Sequence, residues 1–419
     1  MADQSLGDIS SLISSSVDSH LEFIKSINHK IHSDPELAYN EHRAHEAFTR
    51  LLSSPPFSDL GIITTPHAYG VDTAFSADFG SGGRLIVFNA EYDALPGIGH
   101  ACGHNLIASS GLTAFIGAVH ALRASGQPGR VRLLGTPAEE GGGGKLHLIR
   151  AGAYAHAAAC LMTHPGPQYL LQDPGVTGVA AVKMLANVKW RISFRGKTAH
   201  AAMEPWNAVN ALDAVCLSYN AVSMLRQQIR PHERIHGVFD EAGDRPNVIP
   251  GKSSVVYYVR SDTLAGAERL WDRVKACFEG SALATGCTVS YEALNSYADL
   301  RSSQPLCQAF VSAMGSLRPT SNETVSLYEP SDFLAGSTDM GNVSYVCPGF
   351  HGAFGIDTAQ GQGNHTAGFA DAAGLDKSFD RAVEWGKGMA VVGWRVLSED
   401  VFAEDVTKEW AEDIKRATQ

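Results

Sequence analysis

The chain has no long apolar run, no cluster of basic residues and no disulfide-like set of cysteines, and each absence closes off a class of function. No stretch reaches the ~18 to 20 consecutive apolar residues of a membrane-spanning helix. With a formal net charge of -11 and no Lys/Arg cluster, there is no basic face to hold nucleic acid or an anionic membrane. The seven cysteines, Cys102, Cys160, Cys216, Cys277, Cys287, Cys307 and Cys347, are scattered and odd in number, which fits a reducing compartment. Met1 to Asp18 is Ser-rich and polar, without the basic and apolar parts of a secretory leader. The closing Lys-Arg-Ala-Thr-Gln carries no recognisable address, so the expected location is cytoplasmic. Internal repeats and low-complexity linkers are also missing. Gly141 to Gly144 lack the spaced pattern of a phosphate-binding loop.

What is present reads as a soluble globular chain with many tight turns: 44% hydrophobic and 18% charged residues, with 42 glycines. Its 419 residues exceed one ordinary core, and two units are expected. Apolar residues recur at helical spacing from Ser19 to Ser53, broken at Asp34-Pro35. Short apolar runs at 74–79, 85–90, 131–135 and 158–163 alternate with a helical stretch at 108–124, the mark of an α/β domain whose sheet is covered on both faces. From 186 to 294 the pattern becomes strand, helix, strand, strand, helix, strand, which is ferredoxin-like. Helices and glycine-rich loops then resume, so the second unit is inserted into the first. The expected division is 1–183 and 300–419 for one domain and 184–299 for the other.

Gly99 to Asn105 read Gly-His-Ala-Cys-Gly-His-Asn, and Thr136 to Gly144 read Thr-Pro-Ala-Glu-Glu followed by four glycines. In extended backbone Cys102 and His104 share a face, so a thiolate and an imidazole converge on a metal. Glu139 and Glu140 follow an apolar run at a strand end. There one carboxylate can bind metal while its neighbour takes a proton from water and returns it to a leaving amine. Together the two segments read as a two-metal hydrolase site. His164, before Pro165, also ends an apolar run and is either a ligand or a histidine satisfied by backbone. His365 lies in a glycine-rich stretch where a histidine has no packing role. His200 is equally a surface histidine on sequence alone. Asn247 is either part of a strand entry or an amide aimed at substrate. Asp339 either caps a helix or supports a metal ligand from behind.

These residues resemble the dinuclear metallo-amidohydrolases and peptidases that include aminoacylase, carboxypeptidase G and the plant hydrolases of auxin conjugates. The likeness runs from about Leu21 to Ala373, through Ile31 to Leu37, Glu91 to Pro96, His100 to Asn105, Pro137 to Gly141, Gly196 to His200, Asn247 to Pro250 and Ser337 to Ser344. Within the family, the branch of aminobenzoyl-glutamate hydrolase and the Xaa-Arg dipeptidase (beta-alanyl-lysine dipeptidase) is most similar. The resemblance implies a zinc-peptidase-like catalytic domain with a mostly parallel sheet, plus an inserted lid and dimerisation domain. It implies two divalent ions bridged by Cys102 and completed by His104, Glu140, His164 and His365. Thiolate and imidazoles favour zinc, while manganese and cobalt are also accommodated. A metal-bridging hydroxide would attack the amide of a dipeptide or N-acyl amino acid, with Glu139 as general base and acid. His200 would serve as oxyanion donor across a homodimer, Asn247 as substrate contact and Asp93 as support behind the ligands.

Two departures matter. Many relatives place a histidine where Glu91 stands and an aspartate where Cys102 stands. The His-Thr-Pro-Glu-Phe common in the similar branch reads His365-Thr-Ala-Gly-Phe369. That change, with aromatic Tyr345 and Phe350, admits a rival: an amidohydrolase or amide-forming enzyme of a specialised pathway acting on an aromatic amide. A catalytically silent binding protein is the rival outside enzymes.

Overall fold

The computed structural model describes residues 6–171, 173, 175–318, 320–328 and 336–418. The described residues form two compact units. The larger runs up to Lys183, from Leu300 to Tyr328 and from Asp339 to Arg416, and the smaller comprises Met184–Asp299 with Gly336–Thr338 and the described residues from Ala417 on. The return of 336–338 to the smaller unit has a local cause: Leu185 N–H donates to Gly336 O at 2.8 Å, and Arg260 donates to Ser337 Oγ at 2.8 Å.

In the larger unit the chain begins with α1 (Leu6–Ser19), α2 (Leu21–Ser33) and α3 (His42–Leu52), followed by β1 (Ile63–Pro66), β2 (Phe75–Ser81) and β3 (Leu85–Ala90). Next come α4 (His104–Ser125), β4 (Gly129–Gly135), α5 (Gly144–Arg150), β5 (Ala157–Pro167) and β6 (Val176–Ala181). The smaller unit holds β7 (Ala186–Arg195), α6 (Ala211–Leu225), β8 (Arg234–Glu241), β9 (Lys252–Ser261), α7 (Leu264–Thr285) and β10 (Thr288–Ala293). The larger unit resumes with α8 (Gln304–Leu317), β11 (Thr324–Tyr328), α9 (Met340–Ser344), β12 (Gly349–Ile356), α10 (Ala367–Ala373), α11 (Asp376–Ser398) and α12 (Asp400–Ala417).

The larger sheet has the order β1-β2-β4-β3-β5-β12-β6-β11. Its centre, β4-β3-β5-β12, is parallel, while β1, β2 and the β12-β6 pair are antiparallel. Every residue of β3 is buried, as a central strand covered on both faces requires. Helix α4 is apolar and long enough to cross a membrane by composition, yet it lies packed among α11, α1, α2 and β3 as the core helix of this unit. Gly111 lets it approach the sheet, because a Cβ there would stand 2.4 Å from Asn89 O.

In the Ser-rich N-terminal segment, read from sequence only for what it lacks, Leu6–Ser19 form α1. Ile9, Ile13 and Val17, four apart, are each at most 1% exposed, a stripe at helical spacing. Burying three such side chains contributes roughly 1.5 to 3 kcal/mol each. In the smaller unit the antiparallel order β10-β7-β9-β8, with α6 and α7 against the sheet around Phe194, Tyr257 and Phe278, is the ferredoxin-like arrangement.

Candidate active site

The carboxyl ends of three adjacent parallel strands converge, the place where open α/β sheets hold ligands. Glu91 and Asp93 follow β3, Glu139 and Glu140 follow β4, and His164 lies near the end of β5. The turn into α4 adds Cys102 and His104. Extended backbone, one part of the sequence reading, does not bring this pair together; the glycine-punctuated turn also read from the sequence does. Gly103 takes φ +77° and His104 opens the helix, so the turn itself aims both side chains inward. Gly103 is also pressed against Pro165, whose Cγ would stand 2.5 Å from an added Cβ. His365 arrives from the loop before α10 with φ +68°, its N–H donating to Ala101 O at 2.8 Å. Ala138, just before the two glutamates, has φ +59° and donates to the buried Glu41 at 2.9 Å. Such strain persists only where surrounding contacts impose it.

Three sets of donor atoms lie within 4.8 Å of one another: Cys102, His104 and His164; Cys102, Glu140 and His365; and His104, Glu139 and Glu140. Cys102, His104 and Glu140 each belong to two of these sets, so the donors form one connected cluster. Its Sγ is 3.4 Å from His164 Nε2, and Glu140 Oε1 is 3.4 Å from His365 Nε2 and 3.9 Å from His104 Nε2. His104 Nε2 and Glu140 Oε1 are buried without hydrogen-bond partners, a costly state unless something else binds them. A divalent cation fits these donors: thiolate, imidazoles and carboxylate are the set that zinc-like ions take.

The contacts behind the donors fix their lone pairs. Asp93 Oδ1 accepts from His104 Nδ1 at 3.0 Å, so His104 presents Nε2 to the cluster, and Asp93 Oδ2 accepts from Glu140 N–H at 2.9 Å. His164 Nδ1 donates to Pro165 O at 2.8 Å, which likewise frees Nε2. Burial pushes the Cys102 thiol up to about 12, so a cation is what makes a thiolate accessible there. Burial pushes Asp93 up, but His104 and the Glu139 and Glu140 amides hold it below the usual carboxylate range. Burial would lower His104, and the Asp93 carboxylate lifts it well above the ordinary imidazole value instead. Glu139 is raised well above the carboxylate range by burial and by Glu91, Asp339 and Glu140. A proton carrier needs such a shift to hold a proton near neutrality.

Asp339 makes no side-chain cap on α9, so one of its two sequence readings falls. It instead accepts from Lys145 Nζ at 2.6 Å and from Lys145 N–H at 2.9 Å, and Lys145 Nζ also donates to Glu91. Sequence reasoning gave Lys145 no role. It is fully buried near the start of α5.

His200 and Asn247 belong to the smaller unit. The structure brings their segments together there, with His200 bridged to Val248 and Ala201 N–H donating to Asn247 O at 3.0 Å. His200 is exposed, and its Nδ1 accepts from Ala202 and Met203 N–H at 3.2 and 3.3 Å. The proton of the neutral ring therefore sits on Nε2. Phe350, offered as an aromatic substrate contact, is wholly buried with its ring 4.6 Å from that of Phe310, so it is a core residue.

A sheet whose strand ends gather a cysteine, imidazoles and paired carboxylates fits the class of metal-dependent hydrolases. The chain belongs to peptidase family M20/M25/M40, whose family model matches residues 87–384. It is thus a hydrolase of peptide-type amide bonds. Xaa-Arg dipeptidase of Mus musculus is 38% identical over 406 residues, covering 94% of this chain and 90% of that protein. One of the p-aminobenzoyl-glutamate hydrolase polypeptides of Escherichia coli is 31% identical over 300 residues, covering 67% of this chain and 60% of that protein. A Bacillus subtilis structure described as a dinuclear metal binding peptidase of the M20 family shares the fold, with a TM-score of 0.64, 19% identity and 92% and 99% of the two chains covered.

Proposed function

We propose that the chain hydrolyses the amide bond of a dipeptide or N-acyl amino acid with two divalent ions held by Cys102, His104, Glu140, His164 and His365. The observation that carries this reading is the cluster of overlapping donor sets that gathers these five residues with Glu139. When bound, the ions supply Lewis-acid polarisation of the carbonyl and acidify water. Glu139, buried beside both sets, takes the proton released on attack and delivers it to the departing amine. Asp93 keeps His104 and Glu140 in register. His200 presents an Nε2 proton suited to a developing oxyanion, and Asn247 is assigned to substrate binding. Zinc suits the soft donors, with manganese or cobalt as alternatives.

A homodimer belongs to this reading. It is supported by the edge strand β8, where Val238 is 65% exposed, and by Met224 of α6, 75% exposed. The half-exposed Tyr219 and Phe239 rings, 5.8 Å apart, join α6 to the strand edge. All seven cysteines are free, which supports the cytoplasm. The relatives named as Xaa-Arg dipeptidases put a basic leaving residue first among candidate substrates. The test is turnover of a panel of dipeptides and N-acyl amino acids with basic, acidic and aromatic leaving residues. Fastest release of Arg or Lys supports the reading. Hydrolysis of aryl amides alone moves the assignment to the specialised pathway.

A further inference from the structure

The two oxygens of the Glu91 carboxylate have different surroundings. Glu91 is the first residue beyond β3 and is 1% exposed. Its Oε1 accepts from Lys145 Nζ, while Oε2 is buried with no hydrogen-bond partner. That bare oxygen faces His104 Nε2 at 3.6 Å, and this nitrogen is bare as well. The separation is too long for an N–H···O bond. It matches two donors on one ion, because ligands roughly 2.0 to 2.2 Å from a zinc at tetrahedral angles stand about 3.4 Å apart.

The other end of Glu91 is held firmly. Lys145 is wholly buried and donates to Glu91 and to Asp339 Oδ1 at 2.6 Å, while its own N–H donates to Asp339 Oδ2 at 2.9 Å. Lys145 is thus locked between two carboxylates from distant parts of the chain, and it fixes the direction of Glu91. A bare buried carboxylate oxygen forfeits its hydration, so a cation at this oxygen would offset that cost.

We propose that Glu91 is a sixth metal donor, adding a carboxylate oxygen on the His104 side of the cluster, and that Lys145, anchored by Asp339, is the positioning residue that aims it. The proposal rests on the two-metal reading above. It makes the two cation positions unequal, the one served by His104 and Glu91 being the tighter.

The test measures metal binding without turnover. The metal-free parent and Glu91→Gln are titrated with Zn2+ against a chromophoric chelator, and with Co2+ while its visible absorption is recorded. The glutamine keeps an oxygen for Lys145 and removes the donor. The expected result is two binding steps in the parent and one step weakened tenfold or more in the variant, with a changed cobalt spectrum and unchanged circular dichroism. Should Glu91→Gln fail to fold, Glu91→Asp keeps the charge for Lys145 and shortens the reach, and the same selective weakening is expected. Two unaltered steps and an unaltered cobalt spectrum in a folded variant overturn the proposal and leave a structural triad. A parent that binds no pair of ions overturns the two-metal reading itself.

Discussion

Asp93→Asn should weaken metal binding although Asp93 is not one of the five donors. Asp93 is 1% exposed and accepts two hydrogen bonds with different oxygens, from His104 Nδ1 at 3.0 Å and from Glu140 N–H at 2.9 Å. Asparagine has the same shape but only one acceptor. If its oxygen stays on His104, its amide hydrogens face the Glu140 N–H and push that ligand's backbone away. If it flips, an N–H faces His104 Nδ1, the imidazole proton moves to Nε2, and the lone pair meant for the cation is lost. Either way a ligand of the cluster is spoiled. Changes behind metal ligands cost about 10- to 100-fold in affinity, or about 1.4 to 2.7 kcal/mol. Competition with a chromophoric chelator at neutral pH measures the loss, and circular dichroism shows that the variant folds. Affinity within twofold of the parent for both ions would refute the role given to Asp93.

Glu139→Gln should lower kcat by roughly 10²- to 10⁴-fold as a lost proton carrier while both ions remain, read by steady-state kinetics beside metal analysis; near-normal turnover would remove Glu139 from the mechanism. Glu41 gives a pH signature in the metal-free protein, because burial first and the Asp93 charge second lift its carboxyl to about 7. The unfolded chain then loses this proton first, so stability from Glu41 is complete below the usual carboxylate range and is lost as pH rises through about 7. Denaturant midpoints from pH 4 to 8 should show a steeper decline in the parent than in Glu41→Gln, and equal slopes would contradict the assignment. Val238→Lys places a charge on the apolar edge of β8 and should convert a dimer to monomer in sedimentation; a parent that is already monomeric ends that part of the account.

Much of the fold is legible because the apolar runs are short and well punctuated. The segment 85–90 reads as a strand and is β3, and the strand-helix order of 186–294 matches the smaller unit. Helix α1 escaped because serines surround Ile9, Ile13 and Val17 and dilute the stripe. Strand β12, Gly349–Ile356, escaped because three of its eight residues are glycine, poor strand formers, although it pairs with β5 along its whole length. The donors were visible as residue types near strand ends. Lys145 was not, since its carboxylates lie 54 and 194 positions away and only the closed fold brings them to it. The glycine-punctuated turn at Cys102 and His104 was legible, but not how it aims the two side chains, since a glycine permits many conformations and packing against Pro165 and Phe369 narrows the choice.

The most direct test strips the protein with chelator and adds back divalent metal stepwise while hydrolysis of an Arg-terminated dipeptide is followed in the parent and in Cys102→Ala. The account predicts no turnover without metal, recovery that levels off at two ions per chain, and no recovery in Cys102→Ala. Full turnover in the metal-free parent, or recovery in Cys102→Ala equal to that of the parent, would contradict it.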